Sequence, residues 1–306
     1  MALRRWLALP AAMALGACGG APADPGPPGD VRIERASNAG AQALALDQPV
    51  EAARQYRQAL AHAYERDDAD AIADLGFNLA VAQLRAGAAD EALRTVRQTR
   101  AELERRRRPV LPELMLVEAA AAWRMGAADR AFAAAQDVLS ASPLSPDTAA
   151  RAWFIQGLVF SQRGDAVGVG RALSALRAST QPDLEADRLE LQGHAARLAG
   201  SHAPAARAFE DAVDQRRIAL DYRGMARALA HAGDASLSAG RTVDAAALLM
   251  RAGRSALFHG DTAAGRALLE RAAGLARQAG ATSIVDEVAR VIAEHERAQR
   301  VRAAAR

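Results

Sequence analysis

The 306-residue chain has a single cysteine, Cys18, and no lysine at all. One thiol rules out an internal disulfide framework and any cysteine-based metal cage. With lysine absent, every strong cation is an arginine; together with the excess of alanine this is the composition of a very GC-rich genome, and it carries no functional message. Aromatic residues make up 4% of the chain and are scattered. A nucleic-acid surface needs a concentrated basic face interleaved with stacking rings, so nucleic acid is not an expected partner. Runs of β-branched and aromatic residues are also missing, and with them any strand signal.

What is present begins at the N-terminus. Arg4 and Arg5 precede a mostly apolar run from Trp6 to Leu15, and Leu15-Gly16-Ala17-Cys18 closes it with small residues before the cysteine. This is the layout of a secretory signal. The run is well short of the roughly 20 residues a spanning helix requires, so residues 1–17 are expected to be cleaved rather than retained in a bilayer. Leu-Gly-Ala-Cys resembles the lipobox of bacterial lipoproteins, and the resemblance makes Cys18 the lipidation site, diacylated on sulfur and acylated on its new amine. The alternative is an ordinary cut near Ala17 that leaves a free thiol. The placement of the chain's one cysteine at the one position lipidation would use favours the anchor. Gly19 and Gly20 follow where an aspartate often retains such proteins at the inner membrane, so the expected location is the bacterial cell envelope, on the periplasmic face of the outer membrane. Arg4 and Arg5 are the only charges in the leader, so its removal lowers the net charge from +3 to +1.

Residues 18–32 hold the cysteine and the sequence Gly-Gly-Ala-Pro-Ala-Asp-Pro-Gly-Pro-Pro-Gly-Asp, which cannot build a core and is expected to be a semi-rigid tether. At about 3.1 Å per residue its twelve residues reach roughly 35 to 40 Å.

Residues 33–306 are rich in Ala, Leu, Arg, Glu and Gln at helical spacing. Breaks fall at Gly87, Gly126, Gly164, Gly200, Gly240, Gly260 and Gly280, at intervals of 39, 38, 36, 40, 20 and 20. Each glycine separates two helical stretches, as a left-handed C-cap would, and helix starts recur at Pro49, Pro112, Ser145-Pro146 and Gln181-Pro182. The unit is a helical hairpin, and its repetition predicts an all-α solenoid of about six units plus extra C-terminal helices near 242–258, 262–279 and 282–304. The last is expected to cap the array, starting at Ser283 with Asp286 three residues on.

Small residues recur seven before and usually five after each break, as in Ala80, Gly87 and Ala92 or Ala119, Gly126 and Ala131, although Val169 fills the alanine position after Gly164. With Asn78-Leu79-Ala80 and Glu91-Ala92 around Gly87, the pattern resembles the tetratricopeptide repeat. Several units exceed that family's usual length, and its large aromatics are often replaced by Ala or Leu. By this resemblance the first helix of each hairpin lines a concave surface. The residues so placed are Asp74, Phe77, Val81 and Leu84, then Glu113, Leu116, Ala120 and Trp123, then Arg151, Phe154, Leu158 and Ser161. Asp187, Glu190, His194 and Arg197 follow, then Arg227, Ala230, Asp234 and Leu237. The expected partner-binding residues are Phe77, Val81, Leu84, Leu116, Trp123, Arg151, Phe154, Leu158, Arg197 and Arg227: an apolar, aromatic N-terminal half and a charged C-terminal half. The other reading makes Phe77, Trp123 and Phe154 interhelical core, as a register error of one residue would. The family's lysine-asparagine clamp for a peptide carboxylate is missing.

No catalytic constellation is visible. No pair among His62, His194, His202, His231, His259 and His295 has the i, i+4 spacing of a helical metal site, and no metal or cofactor is expected. Gly168-Val169-Gly170 follows a helix rather than a strand and lacks the later glycine of a dinucleotide loop; a tight helix contact explains it better. Arg105 to Arg108 either complements a helix C-terminus or forms a docking patch for anionic headgroups. The resulting expectation is a non-enzymatic envelope scaffold, held on the membrane by its lipid anchor, that binds periplasmic or outer-membrane proteins. An accessory regulator of peptidoglycan or polysaccharide enzymes is the alternative.

Overall fold

The computed structural model describes residues 30–176 and 181–304. The signal segment, Cys18 and the tether as far as residue 29 lie outside them. Among the described residues there are fourteen helices and no strand. They pair in sequence as hairpins: α1 (Val31–Ala45) with α2 (Pro49–Glu65), α3 (Ala69–Ala86) with α4 (Ala89–Arg105), α5 (Pro112–Arg124) with α6 (Ala128–Leu139), and α7 (Pro146–Gln162) with α8 (Ala166–Ala175). Three more follow: α9 (Pro182–Leu198) with α10 (His202–Ile218), α11 (Tyr222–Ser238) with α12 (Thr242–Phe258), and α13 (Thr262–Gln278) with α14 (Thr282–Ala304). The expected extra helices thus complete a seventh hairpin.

The boundaries follow local chemistry. All seven predicted break glycines have positive φ, between 71° and 87°, where a side chain would be strained. Prolines occupy the first turns of α2, α5, α7 and α9, where the missing N–H costs nothing. Asp30 caps α1, its carboxylate accepting from the Arg32 amide at 2.8 Å, so the first helix starts two residues ahead of the expected boundary at 33. Helix α14 starts at Thr282, which places Ser283 inside the first turn rather than at the cap. Asp47, Asp67, Arg107 and Leu220 also adopt left-handed backbone, closing turns that carry no glycine.

Packing explains the small-residue pattern. Ala80, Ala92, Ala119, Ala131, Ala205, Ala212, Ala245 and Ala252 are all fully buried where helices cross. A Cβ at Gly193 would lie 2.6 Å from a ring carbon of Phe209, itself fully buried, so this crossing admits glycine alone. The core is a continuous line of alanine-lined clusters rather than one central nucleus.

Candidate functional site

The first helices α3, α5, α7, α9 and α11 turn one face toward a common interior. They leave a cavity of about 970 Å³, with contributions from α10, α12 and α13. One wall is apolar: Phe77, Val81 and Leu84 from α3, Leu116 and Trp123 from α5, and Phe154 and Leu158 from α7. Leu84 and Phe154 are nearly buried, whereas Phe77, Val81, Leu116, Trp123 and Leu158 are part-exposed toward the cavity while also packing on the core. The two readings of the aromatic residues are therefore both physical, because the same rings touch core and cavity. Arg151 and Arg227 also line the space, Arg151 in an ion pair with Asp183.

Arg197 does not line it. Its side chain is exposed and donates to the Ser161 hydroxyl at 2.9 Å. The expected charged half is corrected as well. Asp187, Glu190 and His194 are 3%, 3% and 6% exposed, inside the packing between α9 and α10, and of the three only Asp187 reaches the cavity. Asp74, Asp234 and Leu237 lie away from the lining. A repeat register carried from family spacing cannot anticipate a buried cation arriving from the second helix of a unit.

That cation is Arg216 of α10. It donates to Asp187 at 2.6 Å, to Glu190 at 2.8 Å and to Asp221 at 3.2 Å, and its guanidinium carbon lies 5.6 Å from the centre of the Phe154 ring. Burial works against its charge, but the carboxylates of Glu190, Asp187 and Asp221 outweigh it and hold its pKa above the ordinary arginine value. Burial also pushes Asp187 up to about 6, against the pull of Arg216. Beside this network His194 packs edge-on against Phe209 and His231, at 5.1 and 5.0 Å between ring centres, with no hydrogen-bond partner on either ring nitrogen among the described residues. Burial, then the neighbouring His231 and Arg197, lower it to about 3. These are structural groups.

Arg223 closes the solenoid on itself. From the start of α11 its guanidinium donates to the carbonyls of Arg85 at 3.1 Å and Ala86 at 3.2 Å, at the end of α3, and to the His259 carbonyl at 2.6 Å. His259 stacks on Tyr222 at 4.6 Å and sits 3.6 Å from Asp47, which also pairs with Arg85 at 3.8 Å. Residues 138 apart in sequence thus meet, and the line of first helices returns to its beginning. Sequence reading had no signal for this clasp, since a single arginine after a turn looks like any surface arginine.

Among the described residues no group of three His, Cys, Asp or Glu side chains could hold a metal, and no helix is long and apolar enough to cross a membrane. The Arg105–Arg108 run is largely neutralised: Arg105 and Arg106 pair with Glu102, Arg106 also with Asp67, and Arg108 with Asp70.

No protein-family profile matches the chain, and no curated protein matches it either. Solved structures do. A tetratricopeptide repeat protein from Parabacteroides merdae aligns over 85% of this chain and 99% of its own at 14% identity, with a TM-score of 0.47. A signal-transduction ATPase with a tetratricopeptide repeat sensor from Pyrococcus horikoshii aligns over 85% of this chain and 44% of its own at 13% identity, with a TM-score of 0.49. The TPR2AB domain of yeast Sti1, in a complex with pHSP90, aligns over 86% of this chain and 98% of its own at 14% identity, with a TM-score of 0.37. The fold is a tetratricopeptide-like α-solenoid. Its hairpin geometry, glycine turns and small-residue crossings establish that independently of any relative.

Proposed function

We propose that this tetratricopeptide-like solenoid is a non-enzymatic scaffold of the bacterial envelope, lipid-anchored through Cys18, that holds a protein partner against the apolar wall of its interior. The observation that carries the reading is the convergence of the part-exposed Phe77, Val81, Leu116, Trp123 and Leu158, backed by the buried Leu84 and Phe154, from three successive hairpins onto one face. Apolar side chains left open to water over several repeats gain free energy when a partner covers them. The signal, lipobox and tether in that order support the envelope location, with the outer membrane as destination.

Two experiments test the parts separately. Cys18→Ala should move the protein from the membrane fraction to the soluble one; unchanged membrane association would remove the anchor. In-cell crosslinking followed by mass spectrometry should return envelope proteins, and Trp123→Ala should weaken their capture by roughly thirtyfold, the usual penalty for truncating a central aromatic anchor. A Trp123→Ala protein that stays folded and keeps its full set of partners would show that this wall is not the docking surface.

A further inference from the structure

Arg124 stands at one end of the apolar wall. Its guanidinium donates to the Leu84 carbonyl, and neither it nor Arg227 across the cavity makes an ion pair with a described residue. The nearby carboxylates make their ion pairs with other arginines, Asp187, Glu190 and Asp221 with Arg216 and Asp183 with Arg151, so that Asp221 is shared among Arg216, Arg227 and Arg124. Protein surrounds Arg124, yet its side chain remains open to the water of the cavity. Burial, then the like charges of Arg227, Arg223 and Arg216, lower its pKa to about 10, with only Asp221 opposing them. It is still a cation at neutral pH, and one in need of an anion.

The geometry points to a binding site for a small amphipathic organic anion, whose apolar chain lies along Leu84, Leu116, Trp123, Phe154 and Leu158 and whose anionic head is held by Arg124 and Arg227. Three observations support this occupant. A volume near 970 Å³ lies within the roughly 300–1,000 Å³ of small-molecule sites, and such sites combine an apolar lining with a few placed polar groups. The arginine clasp at Arg223 returns the solenoid to its start, so the cavity is encircled by helices rather than laid out as an extended groove. The charge is complementary: two guanidinium groups that form no ion pair with a described residue suit one planar anionic head, because arginine matches carboxylate oxygens with paired N–H donors. A second cavity of about 450 Å³ meets the first at Arg124, Asp221, Tyr222, Arg223 and His259, so the anion end also has a path to the outside beside the clasp. The inference stands apart from the partner reading, although both occupants would compete for the apolar wall.

The test uses the full chain carrying Cys18→Ser, which blocks acylation, titrated calorimetrically with sodium dodecanoate and with 1-dodecanol, the same chain without the charge. Dodecanoate should bind at least about tenfold more tightly than dodecanol, since charge-assisted hydrogen bonds in a sheltered site exceed that ratio. Arg124→Gln with Arg227→Gln should erase the difference and leave dodecanol affinity unchanged, and Arg124→Lys with Arg227→Lys should keep most of it, which separates loss of charge from loss of fold. Leu116→Trp, which fills the wall, should weaken both ligands. Failure of the parent chain to bind dodecanoate, equal affinity for dodecanol, or full dodecanoate affinity in the double glutamine variant would each overturn the proposal. Partner capture by crosslinking is read independently, so either result can fail without the other.

Discussion

Replacing Arg216 with methionine should be among the most damaging single changes in this protein. Methionine keeps the apolar stem and most of the volume, so the loss is almost purely of charge. Asp187 and Glu190 are each 3% exposed and would be left without the cation that donates to them at 2.6 and 2.8 Å. Removing one member of a buried ion-pair network costs about 3–5 kcal/mol, because a carboxylate stays desolvated and uncompensated. The lost contact with the Phe154 ring, desolvated as it is, accounts for about 2 kcal/mol and falls short of that figure alone. The deficit should also depend on pH. Asp187 holds its proton more firmly folded, at about 6, than unfolded, at 3.8, so ionising it removes stability as pH rises through that window. Without Arg216 the window extends upward, and the deficit measured by urea unfolding should be largest near pH 7.5 and smaller at pH 5. Adding Asp187→Asn and Glu190→Gln should recover most of the loss. A cost below about 1 kcal/mol, typical of an exposed pair, or a cost equal at both pH values would refute the buried-network account.

His194 titrates in the opposite sense: its folded pKa of about 3 lies below the unfolded 6.5, so acidification from 6.5 downward should remove stability by up to about 1.4 kcal/mol per pH unit, partly offset by Asp187 below pH 6. His194→Phe should flatten the fall of Tm between pH 7 and 5; an unchanged slope would place the acid sensitivity elsewhere. Gly193→Ala should cost about 1–3 kcal/mol by overpacking against Phe209, and Phe209→Leu in the same chain should relieve part of it, as thermal melts would reveal. Arg223→Ala removes donors to three backbone carbonyls and should open the ring, seen as a larger radius of gyration in small-angle scattering; an unchanged radius would mean that the helix packing alone sets the curvature.

Much of the fold was legible because its determinants are local. Glycines at 87, 126, 164, 200, 240, 260 and 280 announce left-handed turns through the absence of a side chain, and all seven adopt them. The helices expected at 242–258, 262–279 and 282–304 occur at Thr242–Phe258, Thr262–Gln278 and Thr282–Ala304. The residues of the apolar wall were named through the resemblance to the tetratricopeptide repeat, which implies that one face of each first helix lines a common surface. Where the sequence reading failed, the cause was a partner from another helix. Glu190 and His194 have the spacing of an exposed concave row, yet Arg216 and Phe209 of α10 cover them, and nothing in the residues 26 positions upstream of Arg216 foretells its arrival.

Composition, periodicity and turn chemistry thus determine by themselves that the chain forms helical hairpins and where their glycine turns fall, because these act over a few residues. The closure at Arg223, the buried triad on Arg216 and the anion-lacking pair Arg124 and Arg227 belong to the tertiary structure alone. They depend on the curvature accumulated over successive hairpins, in which a small rotation at each helix crossing decides which side chains 26 or 138 residues apart come to share one site.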